Sequence, residues 1–214
     1  MKGFDYSVEI KDSEMYEKLR PLGKKLENML YEVEYVGTEN IPEKGGFILA
    51  SNHINALDPV AIGLGIEKRQ LHFMGKKELF ENPIAKHFLT KLNGFPIVRG
   101  SADTAALDYA IRVVKEGNIL GIFPEGTRSK DYKPARAKSG VAMIAHKAKA
   151  PVLPVSIYTC DDLKKHTKVT IRFGEIIPYE NLGMDEDPTR EQTKNCAKII
   201  MAEIVKLWEM GHCE

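Results

Sequence analysis

The sequence has few cysteines, no long apolar run and almost no net charge. Its 214 residues include only Cys160, Cys196 and Cys213, which are scattered and form no CxxC pair or Cys/His cluster. Reduced thiols are therefore expected, and a disulfide framework or a structural zinc site is not. No apolar stretch approaches the roughly 18 residues that a transmembrane helix needs. Any contact with a membrane is therefore expected to be peripheral.

Charge and motif content narrow the function classes further. A formal net charge of +1 gives no reason to expect nucleic acid as a partner. Neither GxxxxGK[ST] nor a strand-linked GxGxxG occurs, which argues against nucleotide binding. The N-terminal segment is charged and lacks the apolar core of a signal peptide, so no signal peptide is expected there. Between residues 128 and 149, however, seven lysines and arginines accompany one aspartate, which fits an anionic partner or a membrane surface.

Short apolar segments alternate with helical patterns along the chain. Strands are predicted at 31–37, 46–51, 71–74, 95–98, 118–123, 151–158 and 168–174. Helices are predicted at about 15–30, 58–66, 83–92, from Ser101 to Gly117, at 136–148, and from about 187 to 208. This alternation predicts a single α/β domain whose sheet is mixed but mostly parallel, with helices on both faces.

Residues 1–30 are distinguished by an amphipathic pattern. Apolar residues recur at helical spacing from Met15 to Leu30, and Pro21 suggests a kink or a restart. Basic residues beside this stripe suit a helix lying on anionic lipid; they are Lys18, Arg20, Lys24 and Lys25. The alternative, a helix packed on the domain core, fits the pattern equally well.

A histidine and an aspartate follow the second predicted strand, in the segment NHINALDP at 52–59. We place His53 just past the end of a buried strand, Asp58 at the N-cap of the next helix and Pro59 at its first position. The intervening loop lets the carboxylate bond one imidazole nitrogen, which leaves the other nitrogen to take a proton. The alternative is a capping aspartate beside a loop histidine without catalytic function.

The segment FPEGTRS at 123–129 follows the fifth predicted strand and reaches the same edge of the sheet. Gly126 allows the backbone to approach a ligand closely, and Arg128 can bind phosphate oxygens through both arms of its guanidinium. Glu125 could orient that arginine or a substrate hydroxyl. An ordinary turn with an exposed arginine is the alternative.

Two further strand ends carry positive charge. Arg99 terminates FPIVRG at 95–100, and Lys76 and Lys77 follow the strand at 71–74. Together these ends suggest a pocket for a phosphorylated substrate with a general base beside it. No serine or cysteine has a clear activating partner, which favours direct transfer to a substrate hydroxyl over a covalent intermediate.

The motif order NHINALD, FPIVRG, FPEGTRS and VLPVSI closely resembles the four motifs of the glycerolipid acyltransferases. It is most similar to the bacterial 1-acyl-sn-glycerol-3-phosphate acyltransferases of the PlsC type, over about residues 15–178. The resemblance implies an acyltransferase domain at 31–214 after an N-terminal amphipathic segment at 1–30. Asn55 and Val98 depart from residues common in the family.

The resemblance also implies roles for particular residues. His53 would deprotonate the acceptor hydroxyl with Asp58 as its partner, and Asn52 would shape their loop and border the substrate. The glycerol-phosphate would be bound by a further set of residues: Lys76, Arg99, Glu125, Gly126, Thr127, Arg128 and Lys138. No metal ligand set is visible, and no cofactor is implied.

The implied reaction transfers a fatty acyl group from acyl-CoA or acyl carrier protein to the 2-hydroxyl of lysophosphatidic acid, which gives phosphatidic acid. The enzyme would act peripherally on the inner face of the cell membrane. Three alternatives remain at this point: another acceptor such as glycerol 3-phosphate or another lysophospholipid, a thioesterase-like hydrolase, and a non-catalytic lipid-phosphate-binding module.

Overall fold

Seven strands and six α-helices build the domain, in a computed structural model that describes residues 4–98, 103–160 and 163–212. The strands are β1 (Tyr31–Val36), β2 (Phe47–Ser51), β3 (Leu71–Lys76), β4 (Gly94–Ile97), β5 (Ile119–Ile122), β6 (Val152–Tyr158) and β7 (Thr167–Phe173). The helices are α1 (Glu14–Leu30), α2 (Asp58–Gly65), α3 (Pro83–Lys91), α4 (Thr104–Lys115), α5 (Gly140–Ala148) and α6 (Arg190–Glu209). The predicted class, an α/β domain with a mixed and mostly parallel sheet, is confirmed.

The strands form one sheet in the order β1-β7-β6-β2-β5-β3-β4. Strands β2 to β6 run parallel, whereas β7 pairs antiparallel with β6 and β1 pairs parallel with β7. The carboxyl ends of β2, β3, β4 and β5 therefore share one edge of the sheet, where ligand sites of such folds lie. The candidate segments at 52–59, 76–77 and 123–129 emerge at or beside this edge, whereas Arg99 lies outside the described residues.

Helices cover both faces of the sheet. On one face α4, α5 and α6 bury the apolar side chains that include Val113, Ile144 and Ile200. On the other face α2 packs over Phe47, Leu49 and the neighbouring strands. The crossover β3–α3–β4 steps along the sheet in the same direction as β2–α2–β3. Right-handed crossovers therefore place α3 on the same face as α2.

The first helix completes this second layer. It runs without a break through Pro21, with Ser13 as its cap, so the suggested restart does not occur. The Ser13 hydroxyl donates to the Lys91 carbonyl at 2.6 Å, which ties the start of α1 to the end of α3. Near the other end, the Tyr35 hydroxyl donates to the buried Glu27 carboxylate at 2.6 Å. Helix α1 is thus attached to the rest of the domain near both of its ends, and the division of the chain at residue 30 stays a prediction.

Three predicted helix starts shift. Helix α4 has Asp103 as its cap, because that carboxylate accepts from the Ala106 amide, and Ser101 lies outside the described residues. Helix α5 begins at Gly140 instead of residue 136, because the preceding segment is held in a loop by the Lys138 amide bonding the Pro124 carbonyl. Helix α6 begins at Arg190 instead of residue 187, because Thr189 and Gln192 form a reciprocal capping box.

Candidate active site

His53 and Asp58 form the centre of the site at the end of β2. His53 Nδ1 lies 2.7 Å from Asp58 Oδ2, and both side chains are largely buried, with 11% and 5% of their surface exposed. Because Nδ1 bonds the carboxylate, Nε2 is the nitrogen available to accept a proton. The geometry is the one expected of a histidine base oriented by a carboxylate.

The position of Asp58 corrects its assignment as the helix cap. Leu57 occupies the N-cap position, and Asp58 is the first residue of α2. Its Oδ2 instead accepts from the backbone amides of Ile54 and Asn55, at 2.7 and 2.8 Å. The carboxylate therefore faces back into the loop that carries His53 and does not satisfy the amides of its own helix.

Glu125 supports the histidine loop from the neighbouring strand end. Its Oε1 accepts from the His53 amide at 3.3 Å, while the Ser129 amide donates to the His53 carbonyl at 2.8 Å. Burial raises the pKa of the Glu125 carboxyl above its usual value, although the Ala135 and His53 amides act in the opposite direction. The other oxygen, Oε2, is buried without a hydrogen-bond partner among the described residues. Glu125 thus holds the backbone on which His53 sits.

Phe123 fixes the plane of the imidazole. The two rings stack with centroids 4.0 Å apart and an angle of 16° between their planes. Phe123 was not predicted to be a functional residue. Its position at the start of FPEGTRS, directly after β5, could have indicated that it lies beside the site. Stacking on one side and the Asp58 bond on the other restrict the rotation of the His53 ring.

A cleft opens beside Phe123 on the α4–α5 side of the sheet and encloses about 290 Å³. It is bordered by Phe123, Gly126, Lys138 and the first residue of α5, Gly140. Gly126 has φ of +70°, and a Cβ built on it would lie 2.9 Å from Lys138 Nζ. The lysine side chain therefore lies directly over this glycine turn, so that a cation and a close-approaching backbone share one wall of the cleft.

An apolar pocket lies on the opposite side of the pair, between α1, α2 and the strands. It borders Asp58 and Asn55, and its wall includes Ile54, Leu57, Leu26, Leu30, Val169 and Ile171. His53 contacts Asp58 on this side and Phe123 on the cleft side. The imidazole is thus linked to the apolar pocket through Asp58 and to the cleft that carries a cation through Phe123, since each of these residues lines one of the two cavities. The lining of this pocket could not be identified from the sequence, because its residues come from five elements (α1, β1, α2, β6 and β7) and from the loops beside them.

The comparisons with known proteins agree with this arrangement. The family model described as Acyltransferase matches residues 32–158. A 1-acyl-sn-glycerol-3-phosphate acyltransferase of Bacillus subtilis is 33% identical over 178 residues, which are 82% of this chain and 87% of the relative.

The chain belongs to the acyltransferase family.

Two more similarities extend this result. A 1-acyl-sn-glycerol-3-phosphate acyltransferase of Streptococcus pneumoniae is 31% identical over 166 residues. The matched region is 75% of this chain and 61% of that relative. The crystal structure of the 1-acyl-sn-glycerophosphate (LPA) acyltransferase PlsC from Thermotoga maritima matches with a TM-score of 0.71 and 27% identity. It covers 93% of this acyltransferase and 81% of the other chain. The resemblance inferred from the sequence is confirmed.

The remaining predicted site residues are distributed unevenly over the acyltransferase. Thr127 and Arg128 are exposed on the turn that follows β5, and Lys76 at the end of β3 pairs with Glu78 at 3.2 Å. Arg99 lies outside the described residues. The assignment of these residues to the substrate stays a prediction.

Asn52 forms its hydrogen bonds with the protein backbone, and its assignment to the substrate stays a prediction. It is wholly buried, and its amide group exchanges two hydrogen bonds with the backbone of Ile157, at 2.8 and 2.9 Å. These bonds extend the pairing of β2 with β6 by one residue beyond Ser51. Asn52 therefore shapes the loop, as expected, but both of its polar groups are already used in holding that loop.

Proposed function

We propose that this protein is a 1-acyl-sn-glycerol-3-phosphate acyltransferase that converts lysophosphatidic acid into phosphatidic acid. The observation that carries the proposal is the buried His53–Asp58 pair, which is linked to an apolar pocket through Asp58 and to a cleft with a cation through Phe123. An acceptor with an acyl chain, a reacting hydroxyl and a phosphate needs these three environments. The names of the Bacillus, Streptococcus and Thermotoga relatives support the same reaction.

His53 acts as the general base in the proposed reaction. Nε2 takes the proton of the acceptor hydroxyl while the oxygen attacks the carbonyl carbon of the acyl thioester. Asp58 holds the Nδ1 proton and stabilises the imidazolium that forms. The carbon–sulfur bond then breaks, and the imidazolium returns the proton to the leaving thiolate. An ester and a free thiol result, and the histidine is regenerated.

Glu125 is a positioning residue in this scheme. Its carboxyl bonds the backbone amide of His53 and, in the described part of the chain, makes no hydrogen bond to the imidazole. It therefore fixes the loop on which the base is mounted. Glu125 bonds the His53 amide and the Ser129 amide bonds the His53 carbonyl, so the backbone of His53 is fixed on both sides. A fixed backbone keeps Nε2 within reach of the acceptor hydroxyl.

The phosphate of the acceptor is proposed to bind in the cleft. Lys138 lies over Gly126, and Arg128 is exposed on the same turn. The start of α5 at Gly140 borders the cleft without a side-chain cap, and a helix N-terminus favours an anion. Lys76 and Arg99 remain further candidates for the same phosphate, since Lys76 is the last residue of β3 and Arg99 comes two positions after β4 in the sequence.

The acyl donor is proposed to be a fatty acyl thioester of CoA or of acyl carrier protein, with no additional cofactor. The thioester supplies both the acyl group and the leaving thiol. The apolar pocket beside Asp58 suits the hydrocarbon chain, since most of its wall is formed by aliphatic side chains.

The location is proposed to be the cytoplasmic face of the cell membrane, with peripheral attachment. Helix α1 leaves three apolar side chains exposed, Leu22, Leu26 and Met29, so a fully core-packed helix does not describe it. Exposed Lys18 and Lys25 lie on the same helix, which suits contact with anionic lipid. Within the described residues, no helix combines the length and apolar character that crossing a bilayer requires.

The decisive assay measures thiol release from acyl-CoA and from acyl carrier protein, with and without lysophosphatidic acid. We expect release to depend on the acceptor and to yield phosphatidic acid, and His53→Ala to abolish it in a folded protein. Release without an acceptor would indicate a hydrolase. Preference for glycerol 3-phosphate or another lysophospholipid would change the acceptor, and binding without turnover would indicate a lipid-phosphate-binding module.

A further inference from the structure

A second group of exposed apolar side chains lies outside the features described so far. Ile84 is 71% exposed, Leu79 53% and Phe88 48%. Ile84 and Phe88 are one turn apart on α3, and Leu79 belongs to the 3₁₀ helix Lys77–Phe80 directly before it. We call Leu79, Ile84 and Phe88 the α3 patch.

The α3 patch belongs to a helix that the core hardly uses. No residue of α3 is fully buried, although five of its nine residues, Pro83, Ile84, Ala85, Phe88 and Leu89, are apolar. A surface helix normally turns its apolar residues toward the domain. On α3, Ile84 and Phe88 are exposed to solvent instead. Single exposed apolar residues are common on protein surfaces, but two large ones side by side on one helix form a patch.

The α3 patch shares a layer with the other exposed apolar side chains. Twelve large apolar side chains are exposed among the described residues, and eight belong to the layer of α1, α2, α3 and their adjoining turns. These eight are Leu22, Leu26, Met29, Leu57, Val60, Leu79, Ile84 and Phe88. The opposite face of the sheet is covered by α4, α5 and α6. Within these three described helices, Ile199 of α6 is the only exposed large apolar side chain.

The charge of the segment matches an anionic partner. From residue 76 to 91 the chain has four lysines and two glutamates, which leaves a net charge of +2. Lys77 is exposed directly beside Leu79, and Lys86 stands between Ile84 and Phe88 in the sequence. Apolar side chains accompanied by lysines are the pattern of a surface that inserts among the headgroups of an anionic bilayer.

We propose that the α3 patch is a second lipid-contact site, which acts together with the exposed stripe of α1. The inference rests on the proposed function, because the acceptor of that reaction is itself an anionic membrane lipid. The turn at Lys77–Phe80 and the start of α3 follow the carboxyl end of β3, at the edge where His53 lies. The end of α1 leads directly into β1, which runs antiparallel to β2, so it reaches that same edge, where Leu30 lines the apolar pocket. Two contacts would orient this edge toward the bilayer, where one helix alone would leave the domain free to rotate.

Vesicle co-sedimentation of the full chain tests the α3 patch directly. We expect Ile84→Ser with Phe88→Ser to weaken partitioning onto phosphatidylglycerol vesicles by about tenfold or more, because two large side chains lose their lipid contact. The matched control, Ile199→Ser with Met210→Ser, removes two exposed apolar side chains elsewhere and should leave partitioning unchanged. Equal weakening in both variants, or unchanged partitioning of the α3 variant, would overturn the proposal.

A fluorescence measurement reports on insertion itself. With Trp208→Phe as the background, Phe88→Trp places the only tryptophan on the α3 patch. Its emission should shift to shorter wavelength with phosphatidylglycerol vesicles, much less with phosphatidylcholine vesicles, and be quenched by brominated acyl chains. Emission that stays at its value in water on both vesicle types would contradict the proposal.

Activity measurements separate this inference from the proposed reaction. On a short-chain lysophosphatidic acid dispersed as monomers, the α3 variant should turn over at the parental rate, while its rate on vesicle-borne acceptor falls. Absence of acyl transfer in the parental chain on both acceptors would instead refute the proposed reaction. Selective loss of activity with acyl carrier protein at unchanged vesicle binding would identify a protein-docking surface, and a dimer that dissociates in the variant would identify a self-association surface. Either result would overturn lipid contact as the role of the patch.

Discussion

Replacing Asp58 with asparagine tests whether the carboxylate acts through His53. Asp58 Oδ2 accepts from three donors, His53 Nδ1 and the amides of Ile54 and Asn55, all within 2.8 Å. The Asp58→Asn variant keeps the shape of the side chain but removes its charge. The loop should therefore remain folded, while the imidazolium loses its counter-charge in the transition state.

The size of the effect follows from the strength of one hydrogen bond to a charged group. Such a bond contributes about 1.5–3 kcal/mol. At about 1.4 kcal/mol per factor of ten, kcat should fall by roughly 10- to 150-fold. A wrong imidazole tautomer, stabilised by the asparagine NH₂ group, would increase the loss toward about 10⁴-fold.

Steady-state thiol release under saturating donor and acceptor measures this loss. His53→Ala and the double variant His53→Ala/Asp58→Asn complete the cycle. If Asp58 acts through the imidazole, the double variant should be no slower than His53→Ala alone, within about threefold. A fully additive loss, or an Asp58→Asn variant that keeps kcat within about threefold of the parent, would refute the pair as a catalytic unit. Urea unfolding of each variant shows whether the substitution also lowers the stability of the fold.

Three further predictions concern the cleft, the loop and the core. Arg128→Lys should raise the acceptor KM several-fold with little change in kcat, because a point charge replaces a two-armed donor; an unchanged KM removes Arg128 from the phosphate site. Glu125→Gln keeps an acceptor for the His53 amide and should retain at least about a tenth of the activity, whereas Glu125→Ala should lose more; equal activities of the two variants in the thiol-release assay would contradict the positioning role. Burial lowers the pKa of His72 from 6.5 to about 4. Between these pH values the imidazole is protonated in the unfolded chain but neutral in the folded chain. The free energy of unfolding should therefore fall by up to about 3 kcal/mol as the pH drops from 6.5 to 4. Urea unfolding at pH 7 and pH 4.5 should show a smaller pH-dependent loss for His72→Phe than for the parent, and identical losses would show that His72 does not cause the acid sensitivity.

Much of the site was predictable because its central contact is local. His53 and Asp58 are five residues apart, and an apolar strand followed by a Pro-marked helix start places them at one turn. The error concerned the direction of the carboxylate. Local preference favours an aspartate as a helix cap, but the imidazole and two loop amides together offer three donors, and Asp58 turns toward them.

The contacts of Glu125 and Asn52 could not be predicted in the same way. Glu125 meets the His53 amide across 72 positions of the sequence, and Asn52 meets Ile157 across 105. Such contacts depend on which strands are neighbours. A motif containing a glutamate and an asparagine does not indicate whether they face substrate or backbone, and in both cases the backbone is the partner found.

The sequence by itself determined the elements of this protein and the chemistry at their ends. All seven strands and six helices follow from apolar periodicity and from turn residues, which act over a few positions along the chain. The tertiary structure alone decided the strand order, the reversal of β1 and β7, the lining of the apolar pocket, and the exposure of the stripe on α1 and of the α3 patch. The physical reason is that burial depends on what packs over a side chain. An amphipathic pattern specifies that a helix has an apolar face, but only the arrangement of all its neighbours determines whether that face meets the core or the solvent.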